Sequence, residues 1–433
     1  MSLNRRVVIT GMGVVSPVGL SLEQFWHSLS ERKSGVCVGP FTASLPIGYG
    51  APVEDFTGRI EDFGELDSPL KKIVRKSLKL MSREIQLSVA SAQRALVDAG
   101  IVSGMLDPCR VGTSIGSDYI LTTPEEIIDG VKACWEENGG FDFSVWGTVG
   151  LPKMNPLWQL KYLPNMPASH ISICNDFRGP SNSVTLREAS IGAVVGESVH
   201  IIQKGKADVM LVGGTGSRIH PIKLIHAIQS EQIALDDVDP TTASRPFAAD
   251  RIGMVLGEGA ASLVLESEEH ARKRGANIYA EVVGGVYVAN IDNRFTPHRR
   301  TALRDAMTRL FKLTKMTSDQ VGHVNAHGLS TYSCDIAEAK AINDVFCHRN
   351  VPVTAAKSYF GNIGAGGGAV ELVAGVLALR HNQLFPILNN TMGDPECPIH
   401  PVREFGEFPG DSFVKLAVSP QGQASAILIR KFG

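Results

Sequence analysis

Glu188 stands where a strand turns sharply into a helix, and no other side chain in this sequence is better set up for chemistry. The stretch Gly179–Gly205 reads GPSNSVTLREASIGAVVGESVHIIQKG. Gly179 and Pro180 are turn residues, Ser183–Leu186 is β-favouring, and Arg187 and Glu188 open a helical pattern. Ile191, Val194, Val195, Val199 and Ile202 follow at helical spacing, and Gly205 is the stop. Asp208–Gly213 is then short, apolar and β-rich, as a fully buried strand should be. Side chains at such a corner sit at the strand's carboxyl end, where reactive groups gather in α/β folds. A carboxylate there is either a solvated partner of the helix dipole or, in a closed site, a general base.

Other patterns are weaker. His323 and His327 are four apart in HVNAH, but they lie on a strand and no glutamate follows His323 as in a zinc-binding His-Glu-x-x-His helix. No metal site is expected, and taken alone His327 reads as a satisfied buried histidine. Gly361–Gly368 resembles a phosphate loop without its Gly-Lys-Ser/Thr ending, which predicts close backbone packing instead. Gly11-Met-Gly13, read as a glycine turn after a strand over Val7–Thr10, lacks the third glycine of a dinucleotide fingerprint.

The bulk numbers exclude several classes. The chain has 433 residues, 43% hydrophobic and 20% charged, enough for two core-forming halves. A formal net charge of −2 gives no reason to expect nucleic acid as a partner. The 7 cysteines (37, 109, 134, 174, 334, 347, 397) are scattered, with no Cys-x-x-Cys, and suit reduced intracellular thiols. No stretch reads as a membrane span. Arg5-Arg6 before an apolar run imitates a signal peptide, but Gly11, Gly13 and Pro17 interrupt it and no cleavage site follows. A cytoplasmic protein is expected.

The elements that must position these residues follow from periodicity. Leu22–Ser30 predicts a helix capped by Ser21. Ser82–Ala99 predicts an amphipathic helix with the stripe Ile85, Val89, Ala92, Leu96 and Ala99. Residues 33–78 read as irregular, and 118–170 as helical in patches. Trp135, Trp146 and Trp158 in that second region read as core aromatics in preference to a cap or partner surface. Strands are expected at Arg110–Ile115, Ala260–Glu266, Ile278–Gly284, His323–His327, Val414–Ser419 and Ala424–Arg430. They alternate with helices at Glu268–Arg274, Thr301–Leu313, Asp335–Phe346 and Ala369–Leu379. This is an α/β chain with buried, mostly parallel sheets and a break near residue 260, giving halves 1–259 (with cap insertions) and 260–433.

RRVVITGMGVVSPVG (5–19), RPFAADRIGMVLGEGA (245–260), VNAHGLSTYSCDIAEAKAI (324–342) and KSYFGNIGAGGGAVE (357–371) together resemble the β-ketoacyl-acyl-carrier-protein synthases, with GPSNSVTLREAS (179–190) a less faithful match. These are the condensing enzymes of fatty acid and polyketide synthesis, and the elongating type II synthases are the nearest group. The resemblance implies a thiolase-like fold, two similar α/β halves giving a five-layer αβαβα core, usually dimeric. It implies an acyl carrier protein as partner, whose phosphopantetheine brings the substrate, and no metal or redox cofactor. In the family a corner cysteine accepts the acyl group while two histidines and backbone N–H groups promote decarboxylation and hold the oxyanion.

Carried over by position, Glu188 falls on the nucleophile, His327 on the first histidine and Asn362 on the second. Lys357 and Glu371 match the supporting residues, and Thr331 would face the pantetheine arm where Leu329 replaces a second threonine. Cys174 lies before the Gly-Pro turn, on a different element. Ala417-Val-Ser-Pro-Gln-Gly422 stands where the family has a phenylalanine between glycines. Glutamate cannot hold a stable acyl store, so ordinary condensation through residue 188 is not expected. The leading reading is a partner subunit like the chain-length factors, in a homodimer or with an active ketosynthase. Next come a malonyl-carrier-protein decarboxylase and an acyltransferase or hydrolase using Glu188 as base.

Overall fold

The computed structural model describes residues 5–39, 48–136, 139–235, 238–346 and 349–433. Cys347 and part of the stretch expected to be irregular, 40–47, lie outside the described residues. The first half contributes β1 (Val7–Val15), β2 (Val111–Ser117), β3 (Ser181–Val184), β4 (Val209–Ser217) and β5 (Leu256–Ser267). The second contributes β6 (Ala280–Ala289), β7 (His323–Asn325), β8 (Pro352–Thr354), β9 (His400–Pro401), β10 (Ser412–Val418) and β11 (Gln423–Lys431).

The strands lie in the order β9-β8-β7-β10-β11-β6-β1-β5-β4-β2-β3. Leaving aside the short β9, each half runs third–second–fourth–fifth–first, so the halves repeat one topology. They join where the two first strands pair antiparallel, with Val7 opposite Val282 and Ile9 opposite Ala280.

The sheet is mixed, not mostly parallel. β2 pairs parallel with β3 and β4, and β7 with β8 and β10. β5 runs antiparallel to β1 and β4, and β11 to β6 and β10, while the short segment Tyr49–Ala51 pairs parallel with the start of β5. A buried strand reads as an apolar run in either direction, so composition could not distinguish them. β5 also runs unbroken through residues 259–260. The glycines there resemble a linker, but Gly257 and Gly259 sit inside the strand because the backbone of Phe360 and of Val15 packs against them.

Helices α1 (Arg83–Asp98), α2 (Ser190–Gln203), α3 (Arg299–Thr314), α4 (Tyr332–Phe346) and α5 (Gly367–His381) complete the layers. α1 packs outside β1, β5 and β4; α3 packs on β11 and β6, with α4 against it. α2 and α5 touch strands of both halves and form the middle layer. The observed order is helix, sheet, helix, sheet, helix. The expected α1 stripe, Ile85, Val89, Ala92, Leu96 and Ala99, is buried. Gly11 and Gly13 do not form a turn: both lie inside β1, where a Cβ would strike the backbone oxygens of Ala95 and Ser91 on α1. In the 118–170 region Trp135 is 61% exposed, which corrects the core-aromatic reading for that residue. Among the described residues no helix is long and apolar enough to cross a membrane.

Candidate functional site

The repeated topology brings the carboxyl ends of β2, β3 and β4 towards those of β7, β8 and β10, at the N-terminal ends of α2 and α5. Glu188, His327, Thr331, Lys357, Asn362 and Glu371 are all buried. Glu188 does not open α2 directly. It sits in a tight 3₁₀ turn, Arg187–Ala189, between β3 and α2, and Arg187 adopts a left-handed φ of 51° to make the bend. Glu188 is 2% exposed, so it is no solvated dipole partner.

Its carboxylate is engaged from several sides. Oε1 lies 2.7 Å from Arg218 Nη1 and accepts from Asn362 Nδ2 at 3.2 Å; Oε2 lies 3.7 Å from Arg187 Nε. Burial by itself pushes this carboxyl up, but Arg218 and Arg187, helped by Asn362, outweigh it and hold it at about 2. Arg218 in turn donates from Nε to Asp118 Oδ2 at 3.1 Å. Burial disfavours the Arg218 cation, yet Glu188 and Asp118 raise its affinity for the proton. Sequence reasoning missed Asp118 and Arg218. A signal existed: Gly116-Ser117-Asp118 and Gly216-Ser217-Arg218 end neighbouring parallel strands in close register, with Ser117 opposite Thr215.

The second cluster is built on His327, just beyond β7. Lys357 Nζ lies 3.2 Å from His327 Nδ1 and donates to the His327 carbonyl at 2.9 Å. It also pairs with Glu371 Oε1, while Lys415 Nζ lies 2.5 Å from Glu371 Oε2. An ammonium only donates, so Nδ1 is the acceptor and Nε2 carries the imidazole proton; that nitrogen is buried without a partner. Burial, then Lys357 and Lys415, push the His327 imidazolium well below the usual range, so the ring is neutral.

The loop carrying His327 is held from α4. Glu338 accepts from the N–H groups of His327 and Gly328, and Asp335 from those of Leu329 and Ser330. Sequence reasoning assigned no role to Lys415, Glu338 or Asp335, although the last two lie within the family-like stretch 324–342. His323, by contrast, is structural: its ring nitrogen bonds the Pro409 carbonyl at 2.8 Å and its ring stacks on Phe413.

Asn362 belongs to the Glu188 side. Its amide donates to Glu188 and to Met254 Sδ, and its Oδ1 accepts from Gly364 N–H at 3.0 Å. Thr331 Oγ1 is buried with no partner. The sequence-named residues therefore fall into linked groups, Glu188 with Asn362 and His327 with Lys357 and Glu371, tied by the segment 357–371. Thr331 stands near the start of α4.

The family descriptions "Beta-ketoacyl synthase, N-terminal domain" and "Beta-ketoacyl synthase, C-terminal domain" match residues 4–271 and 279–391. The chain belongs to the β-ketoacyl synthase family. The 3-oxoacyl-acyl-carrier-protein synthase 2 of Coxiella burnetii is 32% identical over 410 residues, 91% of this chain and 91% of that protein. A β-ketoacyl synthase from Burkholderia phymatum STM815 superposes with a TM-score of 0.86 at 27% identity, covering 99% of this chain and all of that one. The fold is also that of the ishigamide ketosynthase/chain length factor, with a TM-score of 0.83, 24% identity and 99% of this chain covered. The fold is thus the thiolase-like fold of the ketosynthases.

Within that family fold, position 188 carries a fixed anion. A carboxyl held near 2 is a feeble base at neutral pH, and cannot serve there as an acid or as a neutral hydrogen-bond donor. The His327 side keeps a neutral imidazole with a free N–H, suited to a carbonyl oxygen or a developing oxyanion.

Proposed function

We propose that this β-ketoacyl synthase-family protein is a non-condensing partner subunit of a cytoplasmic fatty acid or polyketide synthase, working beside carrier-bound acyl chains in the manner of a chain-length factor. One observation carries the reading: residue 188, which the family resemblance aligns with the nucleophile, is a buried carboxylate 2.7 Å from Arg218. That leaves neither a thiolate to accept an acyl group nor a neutral group to imitate one. The names of the relatives supply the carrier protein as partner.

The outer strand β3 supports association. It ends the sheet, and Ser181 and Asn182 are exposed on it, so this edge is where another chain can add. Phe143, 72% exposed, and Trp135 lie in the 118–170 region and add apolar surface. The test is co-expression with a ketosynthase that carries an intact Cys-His-His set, followed by size-exclusion chromatography. A stable mixed complex is expected. Only self-associated protein, with no mixed species, would count heavily against the reading.

A second reading rests on the intact His327–Lys357–Glu371 arrangement and its free Nε2–H. It makes the chain a malonyl-carrier-protein decarboxylase. Incubation with malonyl-carrier protein decides it by mass spectrometry, and absence of acetyl product at acidic and neutral pH removes it.

A further inference from the structure

We infer that Arg218 and Glu188 act as one unit, an ion-pair plug in the place where the family carries its acyl group, with Arg218 the positioning residue that decides what position 188 can do. This rests on the non-condensing reading above. The geometry carries it. Both side chains are 3% exposed, and the guanidinium bridges two carboxylates, Glu188 through Nη1 and Asp118 through Nε. The surrounding backbone is shaped to the pair. Gly364, at φ +72°, faces it so closely that a Cβ would collide with Asp118 Oδ2 and come within 2.7 Å of Arg218 Nε.

The local charge is also closed. Glu188 and Asp118 face Arg218 and Arg187, so losing either member of the pair strands a buried charge. Asn362 is drawn into the same unit. Its donors go to Glu188 and Met254, and its acceptor to Gly364, leaving nothing aimed at a substrate.

Two consequences follow for a thiol placed at residue 188. Arg218 would hold it as the thiolate. Acyl transfer would then be opposed, although its atom balance is simple. The introduced sulfur bonds to the carrier thioester's carbonyl carbon, the carbon–sulfur bond to pantetheine breaks, and the pantetheine thiolate takes a proton from water. No oxidant or reductant is needed. The product at 188 is a neutral thioester, which removes the charge opposite Arg218 and leaves the cation with Asp118 alone. Replacing Glu188 is therefore insufficient; Arg218 must change with it.

The experiment compares Glu188→Cys with Glu188→Cys/Arg218→Gln in the full chain. Thiolate formation is followed by absorbance at 240 nm against the parent protein as pH is raised. Acyl loading from a short-chain acyl carrier protein is followed by intact-protein mass spectrometry. The single variant is expected to form thiolate at least about one pH unit below the double variant, and below a free thiol's ~8.5. The double variant should accumulate about tenfold more acyl-enzyme, because its thioester no longer strands a buried charge.

Equal thiolate midpoints, or equal loading, overturn the inference. The thiolate midpoint involves neither carrier nor partner. Acetyl product or a missing mixed complex would therefore sink the partner reading while leaving this one standing, and equal midpoints would do the reverse. Should the cysteine variants fail to fold, Glu188→Gln, Arg218→Gln and their double decide by urea denaturation. The double is expected to be more stable than either single, and simple additivity refutes the plug.

Discussion

Glu188→Gln removes one charge and almost no volume, so its effect reads the ion pair directly. In the folded chain the carboxyl is held at about 2 against an ordinary value of 4.5. That difference corresponds to about 3 kcal/mol favouring the ionised folded state. The loss on substitution is expected at about 3–5 kcal/mol, because Arg218 is left buried with Asp118 as its sole close counter-charge. The sign with pH is fixed. A depressed carboxyl contributes in full above its unfolded value and loses that contribution as pH falls towards the folded one. About 1 kcal/mol should be gone by pH 4 and about 2 by pH 3. Urea denaturation of parent and variant at pH 7, 5 and 4 gives the difference, in which the other titrating groups cancel. The reasoning fails if the variant matches the parent at pH 7, or if the gap does not narrow on acidification.

Lys357→Met removes the nearest cation from His327 and should move its titration upward while burial keeps it below an ordinary histidine, as read by NMR of the ring protons. Glu371→Gln strands both Lys357 and Lys415 and should cost about 3 kcal/mol in urea denaturation with an unchanged slope, whereas Lys415→Met leaves Glu371 paired with Lys357 and should cost less. Burial raises Glu338 to about 7 and Asp335 to about 6, so their contribution is whole below about pH 4 and is lost as pH rises through those values. Glu338→Gln, neutral throughout, should flatten the resulting fall in urea midpoint between pH 4 and 7. Gly364→Ala, in a left-handed conformation and against Asp118, should lower stability by at least about 2 kcal/mol on thermal melting.

Local patterns were legible where one element sets its own periodicity. The α1 stripe, the Ser21 cap on Leu22–Ser30 and the β3–α2 corner were all readable, because each depends on residues within a few turns of chain. Strand direction was not, since β5 looks the same in either orientation. Gly11 and Gly13 misled for a related reason: the feature that requires them is α1, far along the sequence. As a set, Glu188, His327, Asn362, Lys357, Glu371 and Thr331 were singled out by the resemblance alone, and each is buried. What turns Glu188 from a base into a fixed anion comes from Arg218 and Asp118, which are 100 residues apart and meet only because β2 and β4 are neighbours.

The two clusters answer different questions about the site. Lys357 and Lys415 share the buried Glu371 carboxylate, and removing Glu371 would strand both ammoniums, so that carboxylate has a sufficient cause in stability alone. His327 is neutral because of burial first and Lys357 and Lys415 next, whether or not a substrate meets its Nε2–H. The Glu188 cluster is more specific. A glutamate facing only the end of α2 would be a ketosynthase corner missing its sulfur, with burial driving the carboxyl towards neutrality. Here Arg218, Arg187 and Asn362 all meet the anion, and the bare backbone of Gly364 leaves room for Arg218 and Asp118. The corner is therefore a buried ionic cluster, in which Glu188 Oε2, Asp118 Oδ1 and Arg218 Nη2 still lack hydrogen-bond partners among the described residues. On the ion-pair proposal above, a cysteine at residue 188 alone is expected to load poorly, because Arg218 and Asp118 would still surround it.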